Sequence, residues 1–222
     1  MTLQLAISAS QRSTRQTVTA NWTPIRTENE VEASFAPVMH FDQDCEIYGE
    51  GDAAEYYYKV VSGMVRTCKF FADGRRQIDG FHVAGDLFGI ETGCEHSLSA
   101  EAVSDCSIVA IRRGNADISA SAHLLAGLMR VLGRAQEHAV LLGRRSAVEK
   151  VAAFLLALPC GAGAKDKIAL AMTRQDIGDY LGLTLETVSR TISQLERDDI
   201  IDLPSARQIK IKDREALIEL RG

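Results

Sequence analysis

Residues 173–195, TRQDIGDYLGLTLETVSRTISQL, constrain the fold more than any other part of the chain. Thr173 can cap the start of a helix, and Asp176 three residues later completes a capping pattern. Gly182 is suited to a tight turn that ends this helix, and Thr184 can cap a second one. The spacing therefore predicts a helix, a turn of about three residues and a second helix.

The second predicted helix has two faces of opposite character. Val188, Ile192 and Leu195 recur at helical spacing and predict its buried face. The residues expected to face outward together are Leu185, Glu186, Ser189 and Arg190. A Glu side chain accepts a hydrogen bond from cytosine N4, and an Arg side chain donates two to guanine, so this face predicts base contacts in the major groove of double-stranded DNA. The alternative is a solvated Glu–Arg pair on an ordinary surface helix.

A β-hairpin is predicted directly after this pair of helices. Residues 200–202 and 208–211 have the pattern of short strands, separated by a turn at 203–207 that contains Pro204. Two helices followed by such a hairpin indicate a winged helix-turn-helix domain, whose hairpin usually contacts the phosphate backbone. The residues expected to contact phosphates are Thr173, Arg174, Thr184, Thr187 and Arg207, with Lys210 and Lys212 also suitably placed on the hairpin.

Charge and hydropathy narrow the class of protein. The net charge is −5, and residues 144–222 carry 13 basic and 12 acidic residues, so the whole acidic excess lies before residue 144. This balance argues against indiscriminate DNA binding and favours a protein that also depends on base contacts. No window approaches 18 consecutive apolar residues, which predicts a cytoplasmic protein without membrane association. The five cysteines are odd in number and lack CxxC spacing, which favours reduced thiols.

Residues 37–113 are dense in short β-type runs punctuated by Gly-Asp, Ser-Gly and Asp-Gly turns. Strands at a spacing of about ten residues predict an antiparallel sandwich or roll. Residues 116–143 then have a helical pattern, and apolar side chains recur along it at alternating spacings of three and four. This seam predicts pairing with a second copy of the chain, as a homodimer. The alternative is that the seam packs on the β-domain. The seam residues are Leu125, Leu128, Leu132, Ala135, Ala139 and Leu142.

The predicted fold class is α+β, in four segments. Residues 1–22 are expected to form a flexible tail, 23–114 a β-roll, 115–143 the dimerisation helix, and 144–222 the winged helix-turn-helix domain, which opens with a helix at 147–158.

A β-roll, a long helix and a winged helix-turn-helix, in this order, resemble the Crp/Fnr family of bacterial transcription regulators. Residues 56–89, YYYKVVSGMVRTCKFFADGRRQIDGFHVAGDLFG, are similar to its cyclic-nucleotide-binding-type roll. Residues 172–201, MTRQDIGDYLGLTLETVSRTISQLERDDII, are similar to its DNA-binding segment. The pattern of Glu186, Ser189 and Arg190 resembles the Fnr and FixK branches, and the FixK branch fits best because it lacks an iron–sulfur cluster.

The resemblance implies a transcription regulator, with activator as the expected role, that binds a palindrome of the TTGA-N6-TCAA type, one half-site per subunit. Leu185 stands where the cyclic-AMP-responsive branch has an arginine, and it would contact a thymine methyl group. The resemblance also implies contacts with RNA polymerase through surface loops. The residues expected there are Ala72, Asp73, Gly74, Ile90, Glu91, Thr92, Gly161 and Lys165.

No cofactor is expected. The cyclic-AMP branch holds its ligand with a Gly-Glu pair and an Arg-Ser pair, but here Glu91 is displaced by one position and no arginine occurs from Gly89 to Val109. A buried cyclic phosphate without a cationic partner would be costly. Residues 1–44 contain no cysteine, which argues against an iron–sulfur cluster.

Three other functions remain as alternatives. The first is a ligand-sensing member of the family with a nucleotide or haem in the roll. The second is a cupin-like enzyme, which would need a close His-x-His and carboxylate set that His82 alone does not supply. The third is a module whose helix-turn-helix binds only proteins. The sequence favours a regulator that is not an enzyme.

Overall fold

The computed structural model describes residues 37–114, 118–158 and 166–221. Contacts divide the chain into two compact units. The first unit comprises the described residues up to Lys69 together with those from Gly80 to Leu132, and the second comprises Phe70–Asp79 and the residues from Gly133 onward. The predicted tail at 1–22 lies outside the described residues, and the predicted boundaries after 114 and 143 stay predictions.

The roll consists of eight antiparallel strands in two four-stranded sheets, as the turn spacing predicts. One sheet has the order β1-β8-β3-β6 and the other β2-β7-β4-β5. The strands are β1 (Val38–Phe41), β2 (Glu46–Tyr48), β3 (Tyr56–Ser62), β4 (Met64–Phe70), β5 (Arg76–Val83), β6 (Leu87–Phe88), β7 (Ser99–Ala102) and β8 (Cys106–Arg112).

Stacked rings occupy one part of the core of the roll. The ring centroids of Tyr48 and Tyr58 lie 5.3 Å apart, and Phe88 lies 5.3 Å from Tyr58. The His96 ring stacks on Tyr48 with the centroids 3.7 Å apart. Gly89 follows Phe88 with a positive φ of 68°, and a Cβ atom there would come within 2.9 Å of the Tyr58 ring. The packing therefore requires glycine at this position.

A single long helix, α1 (Ile118–Leu142), follows the roll and lies within the predicted span of 116–143. Gly127 of this helix lies against Leu87 of β6, since a Cβ atom on the glycine would come within 2.4 Å of Leu87 Cδ1. No helix in the described part of the chain is long and apolar enough to cross a membrane.

The C-terminal domain has the predicted helices and two elements more. Its elements are α2 (Ala147–Ala157), β9 (Lys167–Ala169), α3 (Arg174–Leu181), α4 (Leu185–Arg197), β10 (Ile201–Ser205), β11 (Gln208–Ile211) and α5 (Arg214–Leu220). Sequence reasoning missed β9 and α5. The predicted turn at 203–207 was too long, because β10 continues through Pro204 to Ser205 with an irregular register against β11.

The burial of the His96 ring predicts that the roll becomes less stable at acidic pH. Both ring nitrogens are buried and have no hydrogen-bond partner among the described residues. Burial lowers the pKa of His96 from its ordinary 6.5, against the attraction of Glu91 and Asp52, and Arg113 lowers it further. His96 therefore binds a proton less readily in the folded state than in the unfolded chain. Its contribution to the free energy of unfolding accordingly falls as the pH drops through 6.5 towards the folded-state pKa.

We expect His96→Phe, which keeps an aromatic ring in the stack, to lose less stability than the wild type between about pH 8 and pH 5. Urea unfolding curves at a series of pH values measure this. Parallel pH profiles for the two proteins would contradict the assignment.

Candidate nucleic-acid interface

Helix α3 begins with the predicted capping box. The Thr173 hydroxyl accepts from the backbone N–H of Asp176 at 3.1 Å. One oxygen of the Asp176 carboxylate, Oδ2, accepts in return from the Thr173 backbone N–H at 2.9 Å and from its hydroxyl at 2.7 Å. Asp176 is only 2% exposed, so these bonds replace the water that its carboxylate would otherwise bind. The start of α3 is thus fixed by its own sequence, as predicted.

Two glycines shape the turn between α3 and α4. Gly182 ends α3 in the left-handed conformation, with φ 65°, and its backbone N–H bonds to the carbonyl of Gly178. The Leu183 N–H bonds to the same carbonyl at 2.9 Å. A Cβ atom on Gly178 would lie 2.7 Å from the Leu183 carbonyl oxygen, which real Cβ atoms essentially never approach. The turn therefore folds back onto α3 at a distance that only glycine permits.

The buried face and the exposed face of helix α4 are the ones that the sequence predicts. Val188, Ile192 and Leu195 are buried, and Thr184 caps the helix by accepting from the Thr187 N–H. The four residues predicted to contact bases, Leu185, Glu186, Ser189 and Arg190, are all exposed. Leu185 is 39% exposed, so part of its apolar side chain is available for contact with a partner.

Local hydrogen bonds keep Glu186 ionised. Bonds from its own backbone N–H and from the Thr184 hydroxyl, together with the charge of Arg190, hold the pKa of Glu186 below its ordinary value. An exposed Glu carboxylate is already ionised at neutral pH, and this shift reinforces the acceptor state that pairing with cytosine N4 needs.

The residues predicted to contact phosphates differ in their availability. Arg207 is exposed at the tip of the hairpin, and its carbonyl accepts from Leu170 N–H at 2.9 Å, which ties that tip to the segment after β9. Arg174 is half-buried, and its buried Nη1 has no hydrogen-bond partner within the described ranges. A buried guanidinium nitrogen without a hydrogen-bond partner favours the binding of an anion, such as a phosphate, at that position. Lys212 is engaged with Asp199 instead.

The predicted threonine contacts are already used within the protein. The Thr173 hydroxyl donates to Asp176, and the hydroxyls of Thr184 and Thr187 bond to each other at 3.0 Å. Their role at phosphates stays a prediction.

An unpredicted ion pair holds α3 from outside the helix-turn-helix. Arg76 donates to the second Asp176 oxygen, Oδ1, at 2.5 Å and to Asp179 Oδ2 at 2.8 Å. Burial lowers the pKa of Arg76, but the hydrogen bonds and charges of the two carboxylates outweigh this and raise it overall. Sequence reasoning missed the pair because its members stand 100 and 103 residues apart and nothing local connects them.

The predicted polymerase contacts fall in two described segments. Ala72, Asp73 and Gly74 are exposed at the tip of the β4–β5 hairpin. Glu91 is partly buried because its carboxylate accepts from the backbone N–H and hydroxyl of Ser97, while its carbonyl accepts from Arg113. Ile90 is also partly buried and Thr92 is exposed, whereas Gly161 and Lys165 lie outside the described residues. Polymerase contact stays a prediction for all eight.

Comparison with known proteins identifies the class. A Crp-like helix-turn-helix domain matches residues 149–220, and a cyclic nucleotide-binding domain matches residues 38–117. These two domains, in this order, define a DNA-binding transcription regulator with a cyclic-nucleotide-binding-type roll.

Individual relatives then identify the family. The chain is 45% identical over 202 residues to the nitrogen fixation regulation protein FixK of Azorhizobium caulinodans, covering 86% of this chain and 82% of that one. It is 40% identical over 165 residues to the transcriptional activatory protein AadR of Rhodopseudomonas palustris, covering 70% and 69%. The structure of FixK2 from Bradyrhizobium japonicum superposes with a TM-score of 0.77 at 44% identity, covering 84% and 98%.

The chain therefore belongs to the Crp/Fnr family, and the predicted resemblance to its FixK-type members is confirmed. The relatives are transcription regulators, so the assignment as a regulator rather than an enzyme is confirmed as well.

The close approach at Gly178 gives a direct test of this geometry. We expect Gly178→Ala to lower the free energy of unfolding by about 1–3 kcal/mol, because the added Cβ atom must push the Leu183 carbonyl aside. Gly133→Ala is the matched control, since no atom lies within 4 Å of a Cβ there and the site is inside α1. That variant should be unchanged or up to about 1 kcal/mol more stable. Chemical denaturation measures both, and equal effects would contradict the assigned turn.

Proposed function

We propose that this protein binds a TTGA-N6-TCAA-type palindrome as a homodimer, contacts RNA polymerase there as an activator, and does so without a bound effector. The observation that carries the proposal is the exposed face of Leu185, Glu186, Ser189 and Arg190 at the start of a helix whose opposite face is buried. Glu186, Ser189 and Arg190 are exposed and Leu185 is 39% exposed, so their chemistry is available for bases.

Three of the four side chains have a definite chemical role at the half-site. Glu186, held ionised, accepts from cytosine N4, and Arg190 donates two bonds to guanine in the G·C pair of TTGA. Leu185 contacts a thymine methyl group. Arg174, Arg207 and the capping threonines set the register on the phosphates.

The seam along α1 supports a homodimer. Leu125 and Leu132 are 55% and 53% exposed in the single chain, which argues against the alternative that the seam packs on the roll. Ala135, Ala139 and Leu142 continue the exposed stripe, and Leu128 is half-buried. A symmetric partner would cover this stripe and place two recognition helices about one DNA turn apart.

The roll supports independence from an effector. The segment that corresponds to the nucleotide site of the cyclic-AMP branch begins at Phe88 and includes His96, and these two rings pack against Tyr48 and Tyr58. Arg112 and Arg113 follow that segment. Arg113 donates to the carbonyls of Ala54, Glu91 and Gly93, so its guanidinium is engaged with the backbone of this region.

The test is a fluorescence-anisotropy titration of the full chain on a TTGA-N6-TCAA duplex and on a scrambled duplex at physiological salt. We expect selective binding without additives. Weak binding that is restored by a cyclic nucleotide or haem would favour the ligand-sensing alternative. Weak binding under every condition would contradict the assigned base contacts.

Arg190→Ala should cost about 1–3 kcal/mol of binding free energy on the specific duplex and much less on the scrambled one, because the lost bonds read a base. Arg197→Ala, which removes the same charge from the last turn of α4, is the control and should change both affinities little. An equal loss on both duplexes for Arg190→Ala would identify a phosphate contact instead.

Leu132→Glu should convert the protein to a monomer, because a charge at the centre of the seam would be buried against its symmetric copy. Arg130→Glu introduces the same side chain two residues away, off the seam, and should leave the dimer intact. Sedimentation velocity distinguishes the two states. A dimer of unchanged strength in Leu132→Glu would place the interface elsewhere.

A further inference from the structure

The segment Phe70–Asp79 lies in the sequence of the roll but belongs to the same compact unit as the helix-turn-helix. It forms the tip of the β4–β5 hairpin and the first residues of β5. Within this unit its side chains reach α3 at two places, one at each end of the helix.

At the first end, Arg76 completes the hydrogen bonding of the cap. Asp176 uses Oδ2 for the two bonds from Thr173, which leaves Oδ1 for Arg76. The guanidinium also bonds to Asp179 one turn further on. One planar side chain therefore joins two carboxylates of α3, and its separate N–H groups can bond to both at once.

At the second end, the carbonyl of Tyr180 accepts two bonds. His138 Nε2 donates to it at 2.8 Å, and Gln77 Nε2 donates at 3.5 Å. The rings of His138 and Tyr180 also stack almost parallel, with centroids 3.9 Å apart. Both ends of α3 are thus held by residues from outside the helix-turn-helix sequence.

Holding α3 also bears on α4, because Gly178 of α3 lies against the backbone of Leu183 and Thr184, the short turn that leads directly into α4. We propose that Arg76 is a positioning residue for DNA recognition, which fixes α3 through Asp176 and Asp179 and so sets the orientation of α4. This inference rests on the proposed function of α4, and it assigns Arg76 a role distinct from contact with a phosphate or with another protein.

The neighbouring arginine provides the contrast. Arg75 has a side chain that is 77% exposed and bonds to Asp73 at 2.7 Å within the same turn, with its guanidinium over the Phe71 ring. The Arg76 side chain is only 17% exposed. The two residues have the same side chain and are adjacent in the sequence. Arg75 bonds within its own turn, whereas Arg76 bonds to α3.

The experiment compares Arg76→Ala with Arg75→Ala in the full chain. Affinity for the TTGA-N6-TCAA duplex is titrated at several salt concentrations, and hydrogen exchange of the α3 amides is followed in the DNA-free protein. Arg76→Ala should weaken specific binding by about tenfold and speed exchange in α3. The slope of affinity against salt should stay that of the wild type, since Arg76 bonds to carboxylates and not to phosphates. Arg75→Ala should match the wild type in all three.

Wild-type affinity and exchange in Arg76→Ala would overturn the proposal. A salt slope reduced by about one would also overturn it, because that change marks a lost phosphate contact. If Arg76→Ala does not fold, Asp179→Asn removes one of the two acceptor charges and should show the same changes at smaller size, while Arg76→Lys should be intermediate. Failure of the wild type to select the duplex would instead count against the proposed function, and the exchange comparison would still decide the role of Arg76.

Discussion

The approach of Gly178 to the Leu183 carbonyl is the constraint on which the DNA-binding half depends. It brings the backbone of α3 against the turn that leads into α4, at a distance where no side chain fits, so the path of the chain between the two helices is tightly restricted. Once this path is restricted, the burial of Val188, Ile192 and Leu195 determines the rotation of α4 about its own axis. The four exposed residues of its first two turns then face outward as a group, and the chemistry of that face follows from the backbone.

Asp176 links this local geometry to the rest of its unit. Its carboxylate is nearly inaccessible to water, so its charge is compensated by Thr173 on one oxygen and by Arg76 on the other. A buried ion pair of this kind adds little net stability compared with apolar packing, but it defines one arrangement of the groups that form it. Specific orientation of a recognition helix is the property that a sequence-reading protein needs.

Much of this arrangement could be predicted because its determinants are close together in the sequence. The capping box spans four residues, the end of α3 follows from Gly182, and the buried stripe of α4 follows helical spacing, so all three predictions agree with the structure. The bonds of Arg76 to Asp176 and Asp179 had no such signal in the sequence, since these residues are brought together only by tertiary folding. Strand β9 was missed for a similar reason: three residues are too few to show a period, and its pairing with β11 defines it.

That third strand changes the thermodynamics of the wing. In the sheet order β10-β11-β9, the strand that follows Arg207 is the central one, with partners on both sides. A free two-stranded hairpin is marginal in water and would lose conformational freedom when it met DNA. Here the backbone around Arg207 has already lost that freedom during folding, so the proposed contact of Arg207 with a phosphate would require the ordering of one side chain and would leave the entropy of the main chain unchanged.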